Sequence, residues 1–422
     1  MNSQAHANIM IGAFNALPVS WREALEPQRP LLPQVGNYPD YFDDPSKPDE
    51  KKDAIDPEWR RFCLFPSGME AKCLHHWPHS INEQNAFRPV IEYWLQQAID
   101  AYRANDAVGF VKFIGCLSHY EGDVTQPAHL LNHFNYLTIL REMMPPPSTM
   151  SNFDYHVDLE RVTGICGPLE PARLLGTSVV EAAWRLAAWN AQAVSEMRRY
   201  ILPTLQAIFD ERKDEAQRLA EPPVTRAGQF TLDLFCTALR LATGDIPEAE
   251  KETLARGVDL RVWKADAESH DLVYGGSAIL DGSRPTPPAG APIIPARLRF
   301  EDGIRTVRGL GVLPHSGVAG PRECWLRYGL PRGVFTRFEA TVGMHSEETG
   351  EGAAEFIVEL DSQPQWRSGR RTAQDWAMPI SLELGASETI TLKVVDANEG
   401  RTFWKNHAIW AEPVLLKQEA RS

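Results

Sequence analysis

The sequence predicts two domains, a helical domain followed by an all-β sandwich of the jelly-roll type. The chain has 422 residues, which at about 150 residues per domain leaves room for two or three domains. Up to about residue 245, apolar residues recur at the three- and four-residue spacing of amphipathic helices. After that point, short alternating and β-branched runs separated by Gly, Asp and Ser are typical of strands. We therefore expect domains at 1–255 and 256–422.

The helical spacing is carried by four segments of the first domain. Between residues 31 and 85 the composition changes to Pro, Asp and aromatic residues, which favours a long ordered loop over a regular element. The four helical segments are FRPVIEYWLQQAIDAYRAN, AVGFVKFIGCLSHYEGD, SVVEAAWRLAAWNAQAVSEMRRYILPTLQAIF and FTLDLFCTALRLATGD.

The strand pattern is clearest in four runs of the second domain. A Pro- and Gly-rich segment at 284–296 is either a linker or a loop within this domain. The runs are FTRFEATVGM, AEFIVEL, ETITLKVVD and HAIWAEPVLL.

Composition and charge narrow the classes of function. The chain is 43% hydrophobic and 23% charged, which argues against a disordered or fibrous protein. The net charge is −13, and residues 1–250 hold 22 Lys and Arg against 33 Asp and Glu, so nucleic acid is not an expected partner. The six cysteines include no CxxC pair, which argues against a cysteine zinc ribbon. No signal peptide and no apolar run long enough for a membrane span is visible.

Two histidines of the first domain each stand four residues before a carboxylate. His119 precedes Asp123, and His156 precedes Glu160. Four residues make about one helical turn, so each pair directs an imidazole and a carboxylate to the same side of a helix. Neutral imidazole and carboxylate oxygen together suit zinc.

One such pair alone is more often an exposed salt bridge. Two pairs, together with His129 and the histidine-rich CLHHWPHS, favour a metal site instead. Pro127 ends or bends the first helix after Asp123, so that His129 returns from a new element. His6, taken alone in an apolar helix, is more often a cap or a core residue than a ligand.

The order of these motifs resembles the bacterial zinc-dependent phospholipase C family and its relatives, the fungal zinc-dependent single-strand nucleases. The fourth matching piece is the most specific, since the family's pattern is close to H-Y-x-G-D-x-x-x-P-x-H. The pieces are AHANIMIGAFNAL, YPDYF, LHHW, LSHYEGDVTQPAHLLNHF and HVDLE, in the family's order along about 1–250. The resemblance implies an all-helical pocket that holds two to three zinc ions.

The resemblance also assigns the ligands of the three zinc ions. One zinc would be held by His6 with the N-terminal amine; Met1 stands five residues before His6, as the first residue of the nucleases does. The ligand His75 is preferred over His76 because HHW lies best over the family's histidine followed by two aromatics. The second zinc would take Asp40, His75 and His119, with Asp123 as the bridge to the first, and His129, His156 and Glu160 would complete the third.

The activity implied is that of a zinc-dependent phospholipase C. It would hydrolyse the phosphodiester of glycerophospholipids such as phosphatidylcholine at a membrane surface, through metal-activated water, to diacylglycerol and a phosphorylated head group. Asp40 is also the candidate catalytic residue that orients or deprotonates the water, and Tyr41 is the candidate substrate-binding residue. The alternative is a zinc-dependent nuclease or other phosphodiesterase, against which the HxxxE ending and the acidic domain argue. The family is mostly exported, so we expect a secreted or exported protein.

The C-terminal half resembles the NPCBM-type carbohydrate-binding β-sandwich modules over roughly 258–418. The order of VRGLGVLPHS, FTRFEATVGMH, AEFIVELDSQPQW and ITLKVVDANEG carries this resemblance. It implies a glycan partner, for which Trp366, Trp404 and Trp410 are candidates, although packing in the core explains these tryptophans equally well. A third reading is therefore a non-catalytic carbohydrate-binding protein in which this module does the work.

Overall fold

The computed structural model divides the chain into two compact units, Met1–Pro247 and Glu248–Ser422. The sequence placed this boundary eight residues later, at 255. The structure describes residues 1–42, 48–63, 84–130, 140–255, 257–260, 263, 265, 267–268, 297–307, 309–312, 323–346, 352–397 and 407–417.

The first unit is helical, as the spacing predicts. The α-helices in the described part of the chain are Ser3–Asn15 (α1), Val19–Leu25 (α2), Leu32–Val35 (α3), Tyr38–Phe42 (α4), Asp49–Ile55 (α5), Arg60–Cys63 (α6), Gln84–Arg103 (α7), Ala107–Thr125 (α8), Tyr155–Glu160 (α9), Val179–Met197 (α10), Ile201–Phe209 (α11), Lys213–Thr243 (α12) and Glu248–Ala255 (α13), the last in the second unit. Short 3-10 turns cover Glu26–Leu31, Pro127–His129, Ser148–Met150 and Arg198–Tyr200.

The expected loop between residues 31 and 85 is wrong for the part that the structure describes. Four short helices, α3 to α6, lie in this region. Each has only four to seven residues, too short for the helical repeat to be visible in the sequence. Proline at the start of α3 and just before α5 helps to set where these helices begin.

Helix α8 is the centre of the helical unit. Its residues from Gly109 to Thr125 are buried except for Lys112, as expected of a helix surrounded by others. Helices α7, α10 and α12 pack around it, together with α1. Asp106 caps its start by accepting a hydrogen bond from the Gly109 amide at 2.7 Å. The helix ends before Pro127, as predicted. The polar side chains of its last turn, such as Asp123, lie inside the bundle.

The second unit is antiparallel β structure, and the four predicted strand runs are all strands. The strands are Val258–Asp259 (β1), Ala267–Glu268 (β2), Arg297–Phe300 (β3), Gly303–Thr306 (β4), Gly309–Val312 (β5), Glu323–Gly329 (β6), Arg337–Met344 (β7), Ala353–Leu360 (β8), Gln363–Thr372 (β9), Met378–Glu383 (β10), Thr389–Asp396 (β11) and Ala408–Leu416 (β12). The segment 284–296 lies outside the described residues.

Two five-stranded sheets form the body of the described part of this unit. One has the order β1-β12-β7-β10 with β5 also paired to β12, and the other has the order β2-β6-β11-β8-β9. The rings of Phe356 on β8 and Trp410 on β12 meet edge to face at 5.3 Å, so the sheets pack on each other through their apolar faces. Strands β3 and β4 form a separate hairpin.

No helix within the described residues combines the length and the apolar composition that crossing a membrane requires.

Candidate metal centre

Asp123 is the central residue of a buried polar cluster in the helical unit. Its Oδ1 atom lies 3.4 Å from Nε2 of His6 and 3.7 Å from Nε2 of His129. Its Oδ2 atom lies 3.4 Å from Nε2 of His119, one turn earlier on α8. The Asp123 side chain is only 2% exposed. One carboxylate therefore faces three imidazoles from three different elements, as the bridging role expected of Asp123 requires.

His119 has its ring orientation set by the backbone. Its Nδ1 lies 2.9 Å from the carbonyl oxygen of Gly36, and because a carbonyl only accepts, Nδ1 carries the proton of this hydrogen bond. Nε2 is thereby directed at the carboxylates, 3.4 Å from Oδ1 of Asp40 and 3.4 Å from Asp123. A backbone acceptor on the remote nitrogen is typical of metal-binding histidines.

His6 is fully buried and stacks on His119. The two ring centroids are 3.9 Å apart, with an angle of 17° between the planes. Gly122 makes this approach feasible, because a Cβ atom at that position would lie 2.7 Å from Nδ1 of His6. The ligand atoms of His6, Asp40 and His119 all lie within 4.8 Å of one another. These three residues form the first candidate ligand group.

The second candidate ligand group consists of His129, His156 and Glu160, whose ligand atoms also lie within 4.8 Å of one another. Oε1 of Glu160 is 2.5 Å from Nε2 of His129 and 3.2 Å from Nε2 of His156. His156 and Glu160 come from one turn of α9, as their spacing predicts, and His129 comes from the 3-10 turn that follows Pro127. Asp154 caps α9 through the amides of His156 and Val157, which holds this turn in place.

The α-amino group of Met1 lies close to Asp123 and to two ligands of the second group. It is 2.8 Å from Oδ1 of Asp123, 3.1 Å from Oε1 of Glu160 and 3.3 Å from Nε2 of His129. Three ligand atoms thus converge on a single cationic nitrogen. The arrangement is one that attracts and surrounds a positive charge.

The pKa values follow from burial and from these close charges. Burial, followed by the charge of His119, lowers the pKa of His6 to about 4. Burial also lowers the pKa of His129 to about 4. For His119 burial acts in the same direction, but the charges of Asp40 and Asp123 outweigh it and raise the pKa to about 10.

The carboxylates remain ionised despite their burial. Burial would raise the pKa of Asp123, but the Met1 ammonium and the facing histidines hold it well below its ordinary value. The pKa values of Asp40 and Glu160 are lowered as well, against burial, by His119 and by His129 with His156 respectively. The α-ammonium of Met1 has its pKa raised to about 10, because Asp123 and Glu160 outweigh its burial. Three carboxylates thus face two cations, an ammonium and an imidazolium, which leaves one negative charge in excess.

This donor set fits divalent zinc. Imidazole nitrogens and carboxylate oxygens are zinc ligands, and a buried group of carboxylates needs positive charge close by. Zinc would supply that charge if His119 and the amine released their protons, because ligands bind in their deprotonated form. In addition, neither ring nitrogen of the buried His6 makes a hydrogen bond in the described part of the chain. Such an imidazole is suited to a metal.

Seven of the eight predicted metal ligands are brought together here; the eighth, His75, lies outside the described residues. His6 shares a ligand group with Asp40 and His119, two residues that the family resemblance assigns to the second zinc. Tyr41 is half-buried against the apolar core next to Asp40.

Sequence reasoning missed two polar groups on the core side of the centre. Glu121, between His119 and Asp123, is fully buried and accepts a hydrogen bond from Nδ2 of Asn190 at 3.1 Å. Burial raises the pKa of Glu121 to about 8, although the hydrogen bond from Asn190 acts in the opposite direction. The sequence offers one signal for Glu121, its position in HYEGD. A helix that is buried on all sides also buries the residues between His119 and Asp123.

A comparison of the sequence with known protein families identifies a known domain in the second unit. The sequence model of the NPCBM/NEW2 domain matches residues 302–416. The second unit contains an NPCBM/NEW2 domain. This confirms the NPCBM-like prediction for the C-terminal half.

Solved structures similar to this NPCBM-containing chain are of two kinds. The CBM51 module of GH95 from Clostridium perfringens, solved with methyl-galactose, is 21% identical and covers 38% of this chain and 99% of its own, with a TM-score of 0.31. The alpha-toxin of an avian Clostridium perfringens strain is 10% identical and covers 93% of this chain and 83% of its own, with a TM-score of 0.32. The alpha-toxin of Clostridium absonum is 8% identical and covers 98% of both chains, with a TM-score of 0.31. No curated protein matches the chain.

The three tryptophans that are candidates for glycan binding lie in different surroundings. Trp410 is fully buried between the sheets, so core packing is its role and the binding prediction is wrong for it. Trp366 is half-buried on β9, opposite Val358 of β8. Trp404 lies outside the described residues.

Proposed function

We propose that the helical unit is a zinc-dependent phosphodiester hydrolase and, within that class, a phospholipase C acting on glycerophospholipids. The observation that supports this proposal is the convergence of three histidines on the buried carboxylate of Asp123, with two ligand groups around it. Two or three zinc ions held by these residues would bind phosphate oxygens, offset the charge of the transition state and lower the pKa of water.

The exposed fraction of each carboxylate in the centre indicates whether it can reach the substrate. Asp123 is 2% exposed, so its carboxylate can hold ions but cannot meet a substrate. Asp40 is 44% exposed and its carboxylate stays ionised. Asp40 is thus the carboxylate of this centre that can accept a hydrogen bond from an attacking water and take up its proton. On its buried side, Asp40 is contacted by His119, whose Nε2 lies 3.4 Å from Oδ1 of Asp40.

A phospholipid is preferred over nucleic acid because of charge. Residues 1–250 carry 33 acidic against 22 basic side chains, and a polyanion would be repelled over its whole length. A phospholipid presents a single phosphodiester, which the zinc ions can neutralise locally.

The test is hydrolysis of phosphatidylcholine, phosphatidylethanolamine and single-stranded DNA in parallel by the full chain, before and after chelation. We expect phospholipid hydrolysis that is lost on chelation, returns with zinc and declines as the pH falls through about 6, where protons compete for the histidines. Zinc-dependent hydrolysis of DNA alone would favour the nuclease, and no hydrolysis of any substrate would contradict the proposal.

Asp40→Asn separates the catalytic role from metal binding. We expect kcat to fall about a hundredfold or more, with at least one zinc per chain retained by the second ligand group. Asp100→Asn, at a surface position 53% exposed on α7, is the matched control and should leave kcat unchanged. An unchanged kcat in Asp40→Asn would remove Asp40 from the reaction.

For the second unit we propose glycan binding, supported by the match of residues 302–416 to the NPCBM/NEW2 domain. Together with the helical unit this describes an exported phospholipase that attaches to glycans near its lipid substrate. The failure of the full chain to bind any glycan on an array would contradict this part of the proposal without affecting the enzyme.

A further inference from the structure

Trp376 is the most exposed large apolar side chain among the described residues of the second unit. Its exposed fraction is 56%, although tryptophan is normally well covered. The residue lies on the connection from β9 to β10, which are edge strands of the two different sheets. This connection therefore crosses from one sheet to the other with an uncovered indole ring on it.

The connection is held by hydrogen bonds on both sides of Trp376. The amide of Ala377 donates to the carbonyl oxygen of Arg299 on β3 at 2.6 Å. The carboxylate of Asp375 accepts hydrogen bonds from the amide and the hydroxyl of Thr372, at 2.7 and 2.9 Å. The backbone of such a connection loses little conformational freedom when the ring on it binds a ligand.

Two arginines are tied to the same connection. The guanidinium of Arg371 donates to the carbonyl oxygen of Trp376, and its Nε is buried without a hydrogen-bond partner in the described part of the chain. Nε of Arg299 donates to the carbonyl oxygen of Ala373 at 3.4 Å. A guanidinium has five N–H donors, so each of these arginines has further donors to offer to a ligand.

The local charge is positive in a chain whose net charge is −13. Arg370, exposed at the end of β9, adds a third guanidinium. Two acidic groups lie close by: Glu355, which stands opposite Arg370 on β8 and pairs with Arg367, and Asp375, whose pKa is lowered, against burial, by its Thr372 hydrogen bonds and by Arg371 and Arg370. The surface thus combines an exposed aromatic ring with an excess of arginine.

We propose that Trp376, Arg299 and Arg371 form a binding site for a saccharide that carries a carboxylate, such as a uronic or a sialic acid. An indole ring stacks on the apolar face of a sugar, and guanidinium groups pair with carboxylates through two parallel hydrogen bonds. The proposal rests on glycan binding by the second unit and adds which class of sugar is bound. A neutral sugar would use the ring and leave the arginines without a function.

Calorimetric titration of the full chain with methyl glucuronide and methyl glucoside tests the proposal, since these sugars differ only in the carboxylate. Sialyllactose and lactose form a second pair, which differs by the whole sialic acid residue that carries the carboxylate. At low salt we expect at least one acidic sugar to bind about tenfold or more tightly than its neutral counterpart, and we expect added salt to reduce the difference. Trp376→Ala should abolish binding of both sugars of the pair.

Arg371→Gln should remove the preference for the acidic sugar and leave the neutral sugar's affinity unchanged. The matched control is Arg367→Gln on the same strand, where the guanidinium pairs with Glu355 instead, and its preference should equal that of the native chain. Equal binding of acidic and neutral sugars would overturn this proposal but keep glycan binding. No binding of any sugar would overturn both, as would Trp376-dependent binding to phosphatidylserine vesicles alone.

Discussion

The two units hold their functional charges in opposite ways. In the helical unit, the side chains of His6, His119, Asp123 and His129 are each at most 2% exposed. In the β unit, Trp376 and Arg370 stand in solvent. Buried charge is costly unless an opposite charge is close, whereas surface charge is screened by water. The buried carboxylates of the helical centre therefore need positive charge close by. Substitution of a charged residue on the surface of the β unit should change the stability of that unit little.

Two arginine–carboxylate pairs give the same contrast outside the sites. Nη2 of Arg173 lies 2.6 Å from Oδ2 of Asp233, whose side chain is fully buried. Nη1 of Arg367 lies 3.2 Å from Oε2 of Glu355, whose side chain is 26% exposed. The two pairs have the same chemistry and differ mainly in the burial of the carboxylate. Comparing their contributions to stability therefore measures the effect of that burial.

The largest effect is expected from Asp123→Asn. Loss of the carboxylate that faces three histidines should lower zinc content and reduce phospholipid hydrolysis by at least about a hundredfold, a loss that even indirect partners of a metal can cause. Zinc analysis beside the hydrolysis assay measures both quantities, with Asp100→Asn as the control. Native zinc content and native activity in Asp123→Asn would show that the buried cluster is structural.

Arg173→Ala should lower the free energy of unfolding of the helical unit by roughly 1 to 3 kcal/mol, because it leaves the buried Asp233 carboxylate without its cation, while water already reaches the 45% exposed Arg173 side chain. Asp233 already has a raised pKa, since burial outweighs Arg173 and its other hydrogen bonds. Urea denaturation followed by circular dichroism measures the change. A loss below about 1 kcal/mol would mean that the amide of Arg173 and Gln229 are sufficient partners for Asp233.

Glu121→Gln should stabilise the chelator-treated protein increasingly as the pH rises. The folded-state pKa of about 8 is above the ordinary value of 4.5. The folded state therefore keeps a proton that the unfolded state releases, and the native free energy of unfolding falls as the pH rises from 4.5 to 8. Glutamine has no such proton, so the variant should gain roughly 1 to 3 kcal/mol over the native chain between pH 5 and 8.

Urea denaturation at several pH values measures this gain. Glu355→Gln, which removes a 26% exposed carboxylate that pairs with Arg367, is the matched control for the loss of a carboxylate near the surface. A Glu121→Gln variant that is equally destabilised at pH 5 and pH 8 would show that the hydrogen bond with Asn190 matters more than the buried charge.

The smallest effect is expected from Arg367→Ala, at no more than about 0.5 kcal/mol, as is usual for a surface ion pair. The same denaturation measurement applies to the β unit. A loss as large as that of Arg173→Ala would contradict the contrast between the two units.

Local spacing made much of the site predictable. The pairs His119–Asp123 and His156–Glu160 each lie on one helical turn, and Pro127 ends α8 where the sequence indicates. The long helices and the four predicted strands followed from their apolar periods in the same way, whereas the short helices α3 to α6 did not, because a helical period needs more than four to seven residues to be visible.

Long-range contacts were not predictable from spacing. The Gly36 carbonyl that orients His119 is 83 residues away along the chain, and the stacking of His6 on His119 depends on the missing side chain of Gly122. Trp376 was missed because the sequence around it, TAQDWAMP, is read equally well as a buried strand start. Exposure depends on which strands cover a residue, and spacing does not contain that information.

Zinc stoichiometry of the purified full chain tests the central claim most directly. Elemental analysis after exhaustive dialysis should find two to three zinc ions per chain, held by the two ligand groups around Asp123. Less than about one zinc per chain, in protein that is folded and was supplied with zinc, would contradict the account.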